Sequence, residues 1–305
     1  DLHSFPTRRS SDLLVNMKKS LFAIGCAALI SASTAFADGG MFEAWLPENM
    51  TADVVAAVKF TRMQFSNWKF EDGTSSYTWL FSYDADLKNH WNVADWRNKV
   101  NHALGYTWTD GYGKRKSSDK IFLETMLDFN VSEQVKPYIG ARYESQFAKG
   151  YEYSEDDDGN EVKKAISCFM DPAYVTQMAG VGYFPNDNFS TRLGFANRMT
   201  ISHGYGYDDG DTKKFEKFKD EPGLESITEF KYAFSDIVNF KSRLWAFVNF
   251  KGFDEIDGKW ENLLAVSLSP LFEFQVGYDI AYDKDLDEDA QHKNTILVGV
   301  TWRWF

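Results

Sequence analysis

The C-terminal stretch of the chain alternates between an apolar and a polar face. The apolar face is formed by Ile296, Val298, Val300, Trp302 and Trp304. The opposite face is formed by Thr295, Gly299, Thr301 and Arg303. A period of two predicts a β-strand between two different environments, because successive side chains of a strand point to opposite sides. A strand of this kind that reaches a terminal aromatic residue, Phe305, is typical of the strand that closes a bacterial outer-membrane β-barrel.

The same alternation is clearest between residues 271 and 283. One face carries Phe272, Phe274, Val276, Tyr278, Ile280 and Tyr282, and the other carries Glu273, Gln275, Gly277, Asp279 and Asp283. From residue 54 onward the chain continues in this way, with no helical stripe of apolar residues. The pattern predicts about twelve strands, near residues 54–65, 75–88, 97–109, 118–130, 134–148, 170–184, 188–202, 225–235, 237–251, 259–269, 271–283 and 293–305.

The connections between these segments alternate in length. Tight turns are predicted at 130–133, 185–187, 235–236 and 269–270. Longer polar loops are predicted at 110–116, 150–167, 203–223, 252–258 and 284–291, and the connection 89–96 is longer than its place requires. Short periplasmic turns and long external loops are a property of outer-membrane barrels. The chain is therefore predicted to be all-β, a transmembrane antiparallel barrel of about twelve strands with both termini in the periplasm.

A soluble barrel would alternate equally well, with its apolar face turned inward. Aromatic residues at the ends of the apolar rows favour the membrane, since Trp and Tyr concentrate at membrane interfaces. Composition agrees: aromatic residues make up 17% of the chain, yet the mean hydropathy is −0.43. Lipid-facing residues alternating with polar residues on the inside produce this combination.

The N-terminal region has the features of a secretory signal. Met17 and two lysines precede a short apolar run, and Ala35-Phe36-Ala37 is a cleavage site of small residues before Asp38. We therefore expect residues 1–16 to be a non-native leader, 17–37 a signal peptide, 38–53 a periplasmic segment and 54–305 an outer-membrane barrel. After cleavage Cys168 is the single cysteine, so no intramolecular disulfide is expected.

Short strings at the ends of the predicted strands point to a known family. They are Ser66-Asn67-Trp68, 116–120, 146–151, 169–174 and 185–190, in that order along the chain. Together they resemble a family of Gram-negative outer-membrane β-barrels catalogued as domain of unknown function 3078. The resemblance extends from about Ala52 to Phe305. It implies a single barrel of unassigned activity and supplies no catalytic or ligand-binding residues.

Charged residues on the polar faces of the strands are the first candidate site. They are Arg142, Glu144, Arg192, Arg198, Lys231, Lys241, Arg243, Glu261, Glu273, Asp279 and Arg303. One interpretation is a charged constriction that selects small solutes. The other is a paired polar core that fills the lumen and stiffens the barrel. Eight strands leave room only for side chains and about sixteen leave a water-filled channel, so twelve strands allow both.

Two further sites are weaker. The acidic segments 155–158, 208–211 and 283–289 could bind divalent cations, but none has the spacing of a calcium-binding loop, which favours solvated loops.

Ser202 and His203 lie at a strand end near Asp208, which would suit a rim hydrolase. Adjacent side chains on a strand point apart, so these two cannot form a nucleophile–base pair there.

The functional prediction is therefore an outer-membrane barrel that acts as a narrow channel or solute-binding barrel. A structural or surface-interaction barrel with a plugged lumen and an outer-rim hydrolase are the alternatives. No cofactor, metal or enzymatic activity is predicted. The expected partners are outer-membrane lipid, lipopolysaccharide, the barrel-assembly machinery and small solutes. A formal net charge of −12 argues against nucleic acid, which requires a basic surface.

Overall fold

A computed structural model describes residues 46–63, 75–156, 159–205, 207–208, 215–282 and 289–303. Within these ranges twelve antiparallel strands close into one barrel, in which each strand pairs with the next barrel strand along the chain and the last pairs with the first. The predicted leader, the signal peptide and residues 38–45 of segment 38–53 lie outside the described residues, and so do Trp304 and Phe305.

The barrel strands correspond one to one with the twelve predicted segments. In chain order they are β1 (Met50–Met63), β2 (Ser76–His90), β3 (Ala94–Thr109), β4 (Gly113–Phe129), β5 (Val135–Ser145), β8 (Ala173–Asn186), β9 (Phe189–Ile201), β12 (Phe218–Ala233), β13 (Val238–Asn249), β14 (Gly252–Ser267), β15 (Phe272–Tyr282) and β16 (Gln291–Arg303). Two small hairpins lie outside the barrel wall: β6 (Gly150–Glu155) with β7 (Glu161–Ser167), and β10 (Tyr207–Asp208) with β11 (Phe215–Glu216).

Several strands are longer than predicted. β3 and β4 are joined by residues 110–112 alone, β13 and β14 by residues 250–251, and β12 already begins at Phe218. The long loops predicted at 110–116 and 252–258 are therefore wrong, and residues 91–93 make the predicted 89–96 connection a short turn. A strand needs only about 9–11 residues to cross the hydrocarbon. The parts of β4 and β14 that extend beyond the hydrocarbon have no apolar face, so their sequences resemble polar loops.

The cross-strand register confirms that alternate residues share a face. Lumen-facing Glu273, Gln275 and Asp279 of β15 lie in one row, and Phe274, Val276 and Ile280 lie on the opposite side. The outer side of the barrel is apolar and open: the exposed fraction is 63% for Ile296, 67% for Phe60 and 68% for Phe195. A closed barrel has no unpaired sheet edge, so its wall can cross the hydrocarbon of a membrane. A membrane is also the environment that buries an apolar exterior of this kind. The protein is an outer-membrane β-barrel.

Aromatic side chains gather at both rims of the outer surface. Tyr77 stacks on Trp108 with ring centroids 5.0 Å apart, on the side of the long loops. Trp91 stacks on Trp96 at 5.9 Å, beside the short turn 91–93. Aromatic rings at these two levels mark the membrane interfaces.

No helix in the described part of the chain is long and apolar enough to cross a bilayer.

Part of the barrel interior is filled by side chains that lie flat against the sheet. Met126 and Tyr138 pack with Met178, Ala196 and Phe247 in one buried cluster. Glycines face the same space, and a β-carbon on them would overlap with these side chains: Gly140 with Met126, Gly194 with Tyr138 and Gly223 with Phe247. The glycines therefore let bulky side chains and charged groups share the interior of β4, β5, β8, β9, β12 and β13.

Candidate functional site

The lumen is crossed by an ion pair between distant strands. Arg142 of β5 donates from its two terminal nitrogens to the carboxylate of Glu225 on β12, at 2.8 and 2.9 Å. Its Nε donates to Glu124 of β4 at 3.2 Å. Glu225 also accepts a hydrogen bond of 2.7 Å from the Trp245 indole. Because β8 and β9 separate β5 from β12 in the wall, this pair spans the interior as a chord.

A second set of ion pairs reaches almost to the opposite wall. Arg243 of β13 lies 4.0 Å from Glu124, 3.5 Å from Glu229 and 3.6 Å from Glu261. Lys99 of β3 lies 3.5 Å from Glu229 of β12. β3 and β12 are five steps apart in a twelve-stranded wall, so these contacts bridge nearly the full width of the barrel. We call this network of Arg142, Glu225, Glu124, Arg243, Glu229 and Lys99 the transverse cluster.

Two cavities lie on either side of the transverse cluster. The outer cavity, of about 510 Å³, opens toward the long loops and is lined by residues that include Lys120, Glu144, Arg198 and Lys293. The inner cavity, of about 300 Å³, is lined by residues that include Lys231, Lys241, Gln275 and Asp279. Arg243 and Glu261 belong to the walls of both. The two cavities therefore adjoin at these two side chains.

The structure places the residues predicted from the polar faces as follows. Arg142 and Arg243 belong to the transverse cluster, and Arg192 lies 3.9 Å from Glu229 beside it. Arg198 pairs with Asp257 at 2.7 Å in the outer cavity. The others line the cavities or the wall between them: Glu144 and Glu261 in the outer cavity, Lys231, Lys241 and Asp279 in the inner one, and Glu273 next to Gln275. The side chain of Arg303 lies outside the described residues.

Several interior charges were not identified from the sequence. Lys59 of β1 donates to Gln275 inside the barrel. Its strand is weakly patterned, because Val55 and Ala57 share the lumen face with it. Glu225 and Glu229 lie on the lumen face of β12 with Ile227 and Lys231. The predicted strand 225–235 contained both, so the sequence pattern could have identified them. Glu124 is hard to recognise as a lumen residue from the sequence, because Phe122 and Met126 on the same face are apolar.

The predicted rim residues Ser202 and His203 lie in a loop that hydrogen bonds to Asp171 hold together. The Ser202 hydroxyl donates to Asp171 at 2.6 Å and accepts from the backbone N–H of Tyr205 at 3.0 Å. The Asp171 carboxylate also accepts from the backbone N–H groups of His203 and Gly204, at 3.1 and 2.8 Å. These bonds hold a loop together. Burial opposes ionisation of Asp171, but the hydrogen bonds from Ser202 and the two amides outweigh it, so its pKa lies below the usual range.

Metal binding stays a prediction. No group of three or more potential metal ligands occurs among the residues that the structure describes. Most carboxylates of the three acidic segments lie outside those residues.

Family models match two parts of the chain. DUF3078, a protein family of unknown function, matches residues 60–151, which confirms the predicted resemblance over that part. A second family of unknown function, DUF481, matches residues 196–304. The resemblance predicted for the whole barrel is thus divided between two family models. No curated protein matches the chain.

Solved structures of outer-membrane barrels are similar at a low level. The NanC porin is 8% identical, with a TM-score of 0.41 and coverage of 81% of this chain and 98% of that one. An outer-membrane channel from Pseudomonas putida F1 is 11% identical, with a TM-score of 0.41 and coverage of 85% and 96%. The translocator domain of autotransporter NalP from Neisseria meningitidis is 9% identical, with a TM-score of 0.38 and coverage of 95% and 97%.

Proposed function

We propose that this outer-membrane barrel is a narrow channel for small solutes, with its constriction at Arg243 and Glu261. The observation that carries the proposal is the pair of lumen cavities, about 510 and 300 Å³ in volume, that share these two side chains. Cavities of this size hold a small molecule rather than a peptide or a folded domain. A solute that enters from the outside would occupy the outer cavity first and reach the inner one past the Arg243 side chain.

The charges at the constriction give the channel a means of selection. Arg243 has three carboxylates within 4.0 Å, so it can exchange partners as a solute passes without being left unpaired. Its Nε faces Glu229 at 3.5 Å, so an acceptor group on a passing solute would compete with that carboxylate for the guanidinium. Rings of charged side chains at close range select ions and small polar solutes by sign and size.

The rival interpretation is a barrel plugged by its own side chains. The buried pair of Arg142 and Glu225 favours it, because those side chains are 4% and 2% exposed and fill the space between β5 and β12. In the plugged barrel the transverse cluster would stiffen the wall and the two cavities would never connect. The two functions therefore differ in one measurable property, the conductance of the folded protein.

Recording from single molecules in a planar bilayer tests the proposal. We expect discrete, small conductance steps from the wild-type barrel. Arg243→Gln should change the conductance and shift the preference between anions and cations, because it removes a charge at the narrowest point. Arg115→Gln is the matched control, since Arg115 pairs with Glu161 in the external hairpin and is far from the constriction. A silent bilayer with protein that shows the heat-modifiable gel shift of a folded barrel would favour the plugged alternative.

Lipopolysaccharide and the barrel-assembly machinery remain predicted partners. The apolar outer surface accounts for contact with membrane lipid alone.

A further inference from the structure

The charges that line the outer cavity are not all paired. Arg142 is held by Glu225 and Glu124, Arg198 by Asp257, and Lys259 by Glu261 at 2.6 Å. Among the described residues, Lys120 of β4 and Lys293 of β16 have no carboxylate oxygen within 4 Å. They line the same cavity, and among its described lining carboxylates Glu144 is the one without an ion pair. The cavity therefore has an excess of uncompensated positive charge.

Lys120 is the more enclosed of the two lysines. Its ammonium group lies 4.8 Å from the centre of the Phe122 ring, which is 2% exposed. The charged groups that act on it include two carboxylates, Glu261 and Glu144, and two cations, Lys259 and Arg243. Among the described residues this aromatic face is in contact with the ammonium group, which can therefore still donate to an anion that enters the cavity.

The same cavity has an aromatic wall. Trp245 of β13 and Tyr174 of β8 are half-buried and line it, and so does Phe247, whose ring is parallel to that of Trp245 with the two centroids 6.4 Å apart. The Trp245 indole is fixed by its hydrogen bond to Glu225. Fixed aromatic side chains offer a flat, apolar surface on which a planar group can stack.

We propose that the outer cavity binds a small organic acid with a planar apolar face, such as an aromatic carboxylate. The carboxylate would be received by Lys120 and Lys293, and the ring would lie on Trp245 and Tyr174. This inference rests on the proposed channel function and names the class of solute that the channel takes up. The cavity volume of about 510 Å³ admits a ring with a short acidic group and leaves space for water.

Calorimetric titration of the full-length barrel in detergent measures this binding directly. The probe is benzoate, with acetate and benzylamine for comparison. Acetate has the charge without the ring, and benzylamine has the ring with the opposite charge. We expect benzoate to bind roughly tenfold more tightly than either, because the other two each lose one of the two contacts. Equal binding of benzoate and benzylamine would overturn the proposal, and so would the absence of any benzoate binding.

Two kinds of variant separate the charge from the ring. Lys120→Gln should weaken benzoate binding roughly tenfold, because a charged hydrogen bond becomes a neutral one. The control is Lys88→Gln, the same substitution at a lysine of β2 that lines neither cavity and lies 3.8 Å from Asp95, and it should leave benzoate binding unchanged. Trp245→Leu should weaken binding, and Trp245→Phe should restore most of it by returning a flat ring. Equal losses from Lys120→Gln and Lys88→Gln would contradict the proposed site.

Binding and conduction are measured separately, so the two proposals can fail separately. Benzoate that binds to a barrel with no conductance would refute the channel and leave the acid-binding cavity in place. A conducting barrel that binds no benzoate and whose current is unaffected by it would refute the cavity's specificity and leave the channel. All variants are first checked for the heat-modifiable gel shift, so that only folded protein is compared.

Discussion

Breaking the buried ion pair between Arg142 and Glu225 should strongly destabilise the barrel. We consider Arg142→Met, which keeps the length and the apolar stem of the side chain but removes its charge. The substitution deletes three hydrogen bonds, two to Glu225 and one to Glu124. Glu225 is 2% exposed, so its carboxylate would lose its main cation without gaining water.

The size of the effect follows from the burial of the pair. Removing one partner of a buried ion pair costs about 3–5 kcal/mol, because the other charge stays buried without compensation. The bond from Trp245 to Glu225 remains and places the expected loss near the lower end of that range. An exposed pair is worth about 0–1 kcal/mol. Arg115→Met, which breaks the pair with Glu161 at 34% and 42% exposure, is therefore the matched control.

Reversible unfolding in urea from phospholipid vesicles, followed by tryptophan fluorescence and the gel shift, measures these free energies of unfolding. The double variant Arg142→Met/Glu225→Gln should recover about 2 kcal/mol of the loss, since the uncompensated charge is gone and the acceptor for Trp245 is kept. A cost below about 1 kcal/mol for Arg142→Met, or a double variant no more stable than the single one, would refute the reasoning.

Two further predictions concern the lipid face and the outer rim. Val276→Arg places a charge on the lipid-facing side of β15 and should cost about 2–4 kcal/mol of unfolding free energy. Gln275→Glu places a charge on the lumen side, where Lys59 can donate to it, and should cost much less. Equal costs would mean that the register of β15 is wrong. The pKa of Asp171 is lower in the folded state than in the unfolded state, where it is about 4. The ionised carboxylate therefore stabilises the fold fully above the unfolded-state pKa, and this stabilisation is lost as the pH falls through the folded-state pKa. Asp171→Asn should therefore be less stable than wild type at pH 7 in gel-shift melting, with a difference that shrinks in acid; a difference independent of pH would contradict this role.

The barrel itself could be predicted from the sequence because the membrane imposes a local rule. One face of every strand meets lipid, so apolar residues must recur at every second position, as in Phe274, Val276 and Ile280. The rule weakens where a strand leaves the hydrocarbon, and for that reason β4 and β14 were predicted too short. It also weakens where lumen residues are apolar, as around Lys59 on β1.

The interior could be predicted only as a set of residues, because alternation determines which face a side chain occupies and nothing more. That Arg142 would meet Glu225, 83 residues away, depends on how the wall curves as it closes. It also depends on glycines such as Gly140 and Gly194, which make room for Met126 and Tyr138 beside the charges. The two lumen cavities lined by described residues, and the lysines of the outer one that have no carboxylate partner among those residues, arise from these long-range contacts. Only the tertiary structure decides them, since ion pairs across a barrel join strands whose separation along the chain has no fixed relation to their distance in space.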